Sequence, residues 1–205
     1  TIAGVAGEGG SSDSFDESGQ PTTPKFNSPR GITFVGTSLY VSDYGNHTIR
    51  RVSTSSGHVE TIAGTAGVKS YADGVRGTSK FYGPAGMTSV GSDLYVADTG
   101  NHVIRRIDTS LYESTVYTIA GSAGSSGSDN GTGTAASFKS PRGITTDGMN
   151  LYIGDSKNHL IRKMVISSKE VSTIAGSDIG SNDGDGTSAK FNNPSGIIYH
   201  QSNLY

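Results

Sequence analysis

The feature that most constrains this chain is an internal repeat of 55–60 residues. The tetrapeptide Thr-Ile-Ala-Gly begins at Thr1, Thr61, Thr118 and Thr173. Three further markers recur between these copies in constant order: Pro-x-Gly, Leu-Tyr-(Val/Ile)-x-Asp and Asn-His-x-Ile-Arg. Self-similarity at a fixed period of this size is typical of solenoids, propellers and other repeat folds. The chain is therefore expected to fold as a series of similar units.

Each unit contains four short apolar or β-branched runs separated by turn residues, which predicts four strands. In the first unit these runs are Gly31 to Val35, Leu39 to Ser42, Thr48 to Val52 and Val59 to Ala63. The short links between the first three demand antiparallel neighbours. Glycine accounts for 30 of 205 residues, about twice the usual ~7%, so we expect no long helices and predict an all-β fold.

The strand that begins at Leu94 predicts how the sheets pack. Leu94-Tyr95-Val96-Ala97 is apolar on both faces, which indicates a sheet that is covered on both sides. Small sheets of this kind pack well between their neighbours around a common axis, as in a β-propeller. The small residues Ser42, Ala97 and Gly154 stand at equivalent positions and would let the next sheet approach closely.

We predict a β-propeller with about three and a half four-stranded antiparallel blades. The expected units are an outer strand at 1–4, blades at 29–64, 84–121 and 141–176, and an incomplete blade at 194–205. A six-bladed ring at this period would need roughly 340 residues. We therefore expect the remaining blades to come from the rest of a longer chain. The alternative is a ring closed by another copy through a heterologous interface.

The histidine motif carries a family resemblance. It reads Asn158-His159-Leu160 in one copy, and Asn46-His47-Thr48 and Asn101-His102-Val103 in the others. Together with the other three markers, it makes the segments resemble NHL repeats. The resemblance implies a closed propeller of about six blades that serves mostly as a binding platform, in receptor ectodomains, secreted and surface proteins, sensor kinases or RNA-binding proteins. It also includes one enzymatic branch, similar to the amidating lyase, with a metal in the channel.

The recurring polar residues are predicted to be structural. They are Asp43, Asp98 and Asp155, Asn46, Asn101 and Asn158, His47, His102 and His159, and Arg50, Arg105 and Arg162. Equivalent positions in successive blades lie at least ~10 Å apart, so neither the aspartates nor the histidines can converge on one ion. We expect each Asp to cap its turn, each His to satisfy turn hydrogen bonds, and each Arg to pair with the Asp of its own blade. Alternation puts Arg105 on the same strand face as Val103 and Ile107, a face that we expect to be pressed against another blade.

The long connections offer two weaker sites. Asp183 and Asp185 alternate with glycine, as at the start of a calcium loop, although the terminal Glu of such a loop is missing. The tight-turn alternative is supported by a Phe that ends every connection: Phe26, Phe81, Phe138 and Phe191. Asn130 begins a glycosylation sequon in a loop and is a better acceptor than the sequon residue Asn46. We expect no cofactor, with calcium as the alternative.

Specificity is expected where equivalent positions differ. The residue between Pro and Gly is Arg30, Ala85, Arg142 or Ser195, and in a propeller this strand lines the channel. Two arginines near one rim could hold an acidic group, so Arg30, Arg142 and Ser195 are candidate ligand-binding residues. The acidic loop at 8–25 and the apolar pair Leu111-Tyr112 also vary.

Composition narrows the class of protein. With 16 Lys+Arg against 18 Asp+Glu and no Cys, the chain is neither a general nucleic-acid binder, a zinc ribbon nor a disulfide scaffold. Arg51, Arg106 and Lys163 form at most a mild basic stripe. No apolar run reaches the ~18 residues of a membrane span.

We predict a non-enzymatic binding scaffold of a secreted or cell-surface protein, recognising protein or glycan through rim loops. The alternatives are a metal-dependent lyase-like enzyme and an RNA-binding propeller.

Overall fold

The computed structural model describes residues 1–16, 18–110 and 113–205. Its strands form one four-stranded, two five-stranded and one two-stranded sheet, all antiparallel. Blade 1 contains β1 (Pro29–Val35), β2 (Ser38–Asp43), β3 (Thr48–Ser53) and β4 (Val59–Gly64). Blade 2 contains β5 (Gly74–Val75), β6 (Pro84–Val90), β7 (Asp93–Asp98), β8 (Val103–Asp108) and β9 (Thr115–Ala120).

Blade 3 and the half-blade complete the sheet structure. Blade 3 contains β10 (Gly131–Thr132), β11 (Pro141–Thr146), β12 (Asn150–Asp155), β13 (Leu160–Val165) and β14 (Glu170–Ala175). The half-blade contains β15 (Tyr199–His200) and β16 (Asn203–Leu204). Three single 3₁₀ turns lie at Gly133–Ala135, Ser156–Asn158 and Gly186–Ser188. None of the helical segments in the described ranges has the length and hydropathy needed to cross a bilayer.

The innermost strands β1, β6 and β11 lie side by side, and the glycine of Pro-x-Gly makes this possible. A Cβ on Gly31 would collide with the carbonyl oxygen of Ala85, and a Cβ on Gly86 with that of Arg142. Ser42, at the predicted small-residue position, contacts the carbonyl oxygen of Ala85 in the next blade. The architecture is the predicted β-propeller, while the number of blades in a closed ring stays a prediction.

Blade 2 is covered on both faces, as its apolar strand predicted. Leu94 and Val96 belong to a core shared with Tyr40 and Ile49 of blade 1. On the opposite face, Tyr95, Ala97 and Ile104 belong to a core shared with Ile144, Leu151 and Ile153 of blade 3. The face of blade 1 that is turned away from blade 2 is open, with Ile32 60% and Phe34 55% exposed. Residues Thr1, Ile2 and Ala3 line a cavity of about 460 Å³ on this open face.

Three features of the sheets differ from the sequence prediction. Residues 1–4 do not form an outer strand, since they lie beside the open face of blade 1 and pair with no strand edge among the described residues. Blades 2 and 3 each gain a fifth strand, because the preceding connection pairs with the outermost strand through β5 and β10. In the half-blade only Tyr199–Leu204 and His200–Asn203 pair, so Pro194 to Ile198 are not in a strand.

Candidate functional site

Each recurring aspartate is the centre of a hydrogen-bond network at the end of the second strand of its blade. In blade 2, Asp98 accepts hydrogen bonds from the backbone N–H of Tyr82 at 2.9 Å, from Asn101 Nδ2 at 2.8 Å and from Arg105 Nη1 at 2.8 Å. The same three kinds of donor bind Asp43 (Asn27, Asn46 and Arg50) and Asp155 (Lys139, Asn158 and Arg162). The predicted Asp–Arg pairs are therefore present in all three blades.

The prediction that each aspartate side chain caps its own turn was wrong. The backbone N–H groups that bind Asp43, Asp98 and Asp155 belong to residues 16 positions earlier in the chain. Each of these residues directly follows the Phe that ends the long connection. Each carboxylate therefore ties the connection that enters a blade to that blade's second strand.

The arginines lie on the predicted face of each blade: in blade 2, Ile107 on the Arg105 face belongs to the core shared with blade 1. The entering connection covers each guanidinium directly. The Arg105 side chain is 0% exposed, and its guanidinium carbon lies 4.8 Å from the centre of the Phe81 ring. Arg105 Nη2 donates to the carbonyl oxygen of Ala72 and to Asp73 Oδ1, both at 2.7 Å. The equivalents of Asp73 are Asp13, which binds Arg50, and Asn130, which binds Arg162.

Asp73 and its equivalents also explain why each Thr-Ile-Ala-Gly copy begins with Thr. Asp73 accepts hydrogen bonds from both the backbone N–H and the hydroxyl of Thr118, each at 3.0 Å. Asp13 binds Thr61 in the same way, and Asn130 accepts from the Thr173 hydroxyl. Sequence reasoning missed this role. The available signal was that Asp73, Asn130 and Asp183 each stand eight residues before the Phe of their connection.

The histidines, which were predicted to satisfy turn hydrogen bonds, connect neighbouring blades. His102 Nδ1 accepts a hydrogen bond of 3.0 Å from the backbone N–H of Ser140, at the entrance to blade 3. His47 accepts from Gly83, and His159 from Asn193, both at 3.1 Å. Burial lowers the pKa of His102, which favours the neutral imidazole that this acceptor role requires.

Replacing His102 with Ala should destabilise the contact between blades 2 and 3. The change leaves the part-buried N–H of Ser140 without its acceptor, so the loss should lie towards the lower end of the about 1–3 kcal/mol typical of buried donors. Urea denaturation of the purified protein would measure this loss. His200→Ala is the control, because His200 is exposed and has no equivalent in the other blades. Equal stability of the two variants would contradict the bridging role.

The two sequon asparagines have side chains that are bonded to the scaffold. Asn46 is 7% exposed, and its Nδ2 donates to Asp43 and to the carbonyl oxygen of Gly10. Asn130 is exposed, but its Oδ1 accepts from Arg162 at 3.0 Å. Asn130 is thus part of the arginine network in addition to lying in a loop, and its glycosylation stays a prediction.

Asp183, one of the two weak calcium candidates, has an equivalent position in the other connections. It occupies the place of Asp73 and Asn130, whose side chains bind the arginine of the blade that follows. Asp185 precedes the 3₁₀ turn, where its carbonyl oxygen accepts from Ser188. Within residues 1–16, 18–110 and 113–205, no three His, Cys, Asp or Glu side chains are grouped so that they could hold a metal ion.

Arg30 and Arg142 differ from the other six arginines. Each of the six forms a salt bridge, whereas neither Arg30 nor Arg142 pairs with a carboxylate of the described residues. The Arg30 guanidinium lies 3.5 Å from the centre of the Tyr44 ring. Arg142 Nε is buried and makes no hydrogen bond within the described part of the chain. Ser195, the third candidate, is exposed.

The mild basic stripe is largely neutralised by acidic neighbours. Arg51 pairs with Glu60, and Arg106 pairs with Asp93 at 2.8 Å. Lys163, the third member, is half-buried. This pairing weakens the case for a continuous path for a nucleic-acid backbone, which requires cations available to phosphates. The variable pair Leu111-Tyr112 lies outside the described residues.

Comparisons with known proteins show NHL-repeat relatives. The chain is 30% identical over 168 residues to human NHL repeat-containing protein 2, covering 75% of this chain and 23% of that protein. It is 27% identical over 206 residues to the Arabidopsis thaliana protein SUPPRESSOR OF QUENCHING 1, chloroplastic, covering 94% of this chain and 19% of that protein. The chain thus spans about a fifth of the length of these curated relatives. No family model matches it.

A solved structure shares the fold. An auxiliary nutrient binding protein from Bacteroides thetaiotaomicron superimposes with a TM-score of 0.70 at 21% sequence identity. The alignment covers 88% of this chain and 44% of that protein. At this level of identity the likeness concerns the arrangement of the blades.

Proposed function

Because this chain belongs to the NHL-repeat β-propellers, we propose that it is a non-enzymatic binding module that recognises an acidic protein or glycan through one rim of the propeller. We place the module in a secreted or cell-surface protein. The name of the Bacteroides structure is compatible with a binding role, whereas the Arabidopsis relative is named as chloroplastic. Relatives with these repeats are thus not all extracellular.

The observation that carries the proposal is the contrast between engaged and available polar groups. In each blade the recurring Asp, Asn and Arg side chains are hydrogen-bonded to one another, and the His binds the next blade. Arg30 and Arg142, at the variable position of the innermost strands, have no carboxylate partner among the described residues. Binding specificity resides in such variable positions on a rigid scaffold, and a guanidinium without a carboxylate partner suits a carboxylate or a sulfate of a ligand.

Replacing Arg30 and Arg142 together with Ala should weaken binding of an anionic probe. We suggest a tri-glutamate peptide and a sulfated heparin disaccharide as probes, followed by isothermal titration calorimetry. Loss of the charge-assisted hydrogen bonds should raise the Kd about tenfold or more, since each decade corresponds to ~1.4 kcal/mol. Thermal unfolding of the variant should stay close to that of the wild type, because neither side chain forms a salt bridge within the described residues.

The control is Arg51→Ala, which removes an exposed arginine that pairs with Glu60. This variant should bind both probes as the wild type does. Unchanged binding by the Arg30/Arg142 double variant would refute the rim site. Retention of a homopolymeric RNA that falls steeply with salt would favour the nucleic-acid alternative instead.

A further inference from the structure

Equivalent clefts lie between the outer parts of adjacent blades, and two of them differ in what fills them. The cleft between blades 1 and 2 is nearly closed, with a cavity of about 60 Å³ lined by Tyr40, Arg51, Glu60 and Arg76. Glu60 contacts Arg51 and accepts a hydrogen bond of 2.9 Å from Arg76. An alternating row of cation, anion and cation therefore occupies this space.

The cleft between blades 2 and 3, which we call the blade 2–3 cleft, is open. Its cavity measures about 350 Å³ and is lined by Asp93, Tyr95, Arg106, Tyr117 and Lys169 among others. By the spacing of the repeats, Tyr117 stands where blade 1 has Glu60, and Gly133 stands where the preceding connection has Arg76. The two side chains that close the first cleft are therefore replaced in the second.

We propose that the blade 2–3 cleft binds a neutral saccharide of one or two rings. A saccharide has an apolar face of C–H groups and an edge of hydroxyls, and the cleft offers partners for both. Tyr117 is 47% exposed and forms part of the cavity wall. Ile166 also lines the cavity and adds a further apolar surface. The volume lies at the lower end of the range of about 300–1,000 Å³ that is usual for ligand sites.

Polar groups suited to hydroxyls surround this ring. Arg106 Nε donates to Asp93 at 2.8 Å, so a guanidinium and a carboxylate lie together at the cleft. Tyr95 is only 3% exposed, and its hydroxyl forms no hydrogen bond with any residue of the described ranges. Burial and the neighbouring Asp93 both raise the pKa of this hydroxyl. It is thus a polar group that lines the cavity without a protein partner among the described residues.

The charges favour a neutral ligand over an anion. Arg106 pairs with Asp93 and lies 3.7 Å from Asp108, and Asp73 pairs with Arg105. Lys169 forms no salt bridge with the carboxylates of residues 1–16, 18–110 and 113–205, so it adds a single positive charge. A cleft with nearly balanced charges, hydrogen-bond donors and acceptors and an exposed aromatic ring matches a polyhydroxylated ligand. This cleft is distinct from the rim with Arg30 and Arg142, so either site can fail without the other.

The test is titration of ¹⁵N-labelled protein with maltose and with cellobiose to about 10 mM, a range suited to millimolar affinity. At least one disaccharide should shift the backbone amide signals of Tyr117 and Lys169 in a saturable manner. Tyr117→Ser should abolish these shifts, because it removes the ring. Blade 3 has Ser172 at this position, so serine is compatible with the strand. Tyr95→Phe keeps the ring, removes the hydroxyl and should weaken binding several-fold.

The matched control is Glu60→Ser, the same replacement at the equivalent position of blade 1. This variant should bind the disaccharide as the wild type does. The proposal is overturned if neither disaccharide shifts the amides of Tyr117 and Lys169, or if Tyr117→Ser binds as well as the wild type. It is also overturned if a tri-glutamate peptide shifts these amides and the disaccharides do not, because the cleft would then be a peptide site.

Discussion

Replacing Arg105 with Met should lower the free energy of unfolding by about 3–5 kcal/mol, the usual cost of removing one partner of a buried ion pair. The Arg105 and Asp98 side chains are both 0% exposed. Without the guanidinium, the Asp98 carboxylate would be left as a buried charge with two remaining donors, Tyr82 and Asn101. Asp73 and the carbonyl oxygen of Ala72 would also each lose one of their donors. Chemical denaturation at pH 8 measures the effect.

The stability loss of Arg105→Met should depend on pH. Burial raises the pKa of Asp98 to about 6, whereas Arg105 and Asn101 act to lower it. Removing Arg105 therefore raises the folded-state pKa further, while the unfolded value stays near ~3.9. A carboxyl whose folded pKa exceeds its unfolded pKa contributes stability at low pH, and that contribution is lost as the pH rises through the folded pKa. The difference between wild type and variant should thus be smaller at pH 5 than at pH 8.

Arg106→Met is the matched control for this experiment. Arg106 is the next residue on the same strand, but its side chain is 36% exposed and pairs with Asp93 at the surface. Surface pairs of this type contribute about 0–1 kcal/mol, so this variant should unfold nearly as the wild type does at both pH values. Equal losses for the two variants would show that Arg105 does not stabilise the blade through its buried pair.

Much of the fold could be predicted from the sequence because the repeat supplies the same evidence several times. Three copies of Leu-Tyr-(Val/Ile)-x-Asp place an aspartate at the end of a strand, and three copies of Asn-His-x-Ile-Arg place an arginine on the next strand. Within one hairpin, spacing and alternation decide which side chains meet. For this reason the pair between Asp98 and Arg105 could be predicted from the sequence alone.

Contacts between units were harder to predict, because they depend on how the sheets and connections fold against each other. His102 binds Ser140, 38 residues later, and Asp73 binds Arg105, 32 residues later. Strand alternation predicts neither of these contacts, because the partners lie so far apart in the sequence. The blade 2–3 cleft was missed for a related reason. Repeat spacing shows that Tyr117 and Gly133 replace Glu60 and Arg76, but it does not show that the replaced pair fills one cleft between two blades.

Replacing Gly86 with Ala should cost about 3 kcal/mol, since a core contact that cannot relax typically costs 1–3 kcal/mol or more. A Cβ at this position would collide with the carbonyl oxygen of Arg142 and lie 3.0 Å from the backbone nitrogen of Ile144. Both obstacles are backbone atoms of β11, so no side-chain rotation relieves the contact, and blades 2 and 3 must move apart at the hub. Gly196→Ala is the matched control. Gly196 is the glycine of the Pro-x-Gly motif that begins at Pro194, and a Cβ at Gly196 would meet no atom within 4 Å. Thermal unfolding should therefore separate the two variants clearly. If they unfolded at the same temperature, close packing of the innermost strands would not be the reason for glycine in Pro-x-Gly.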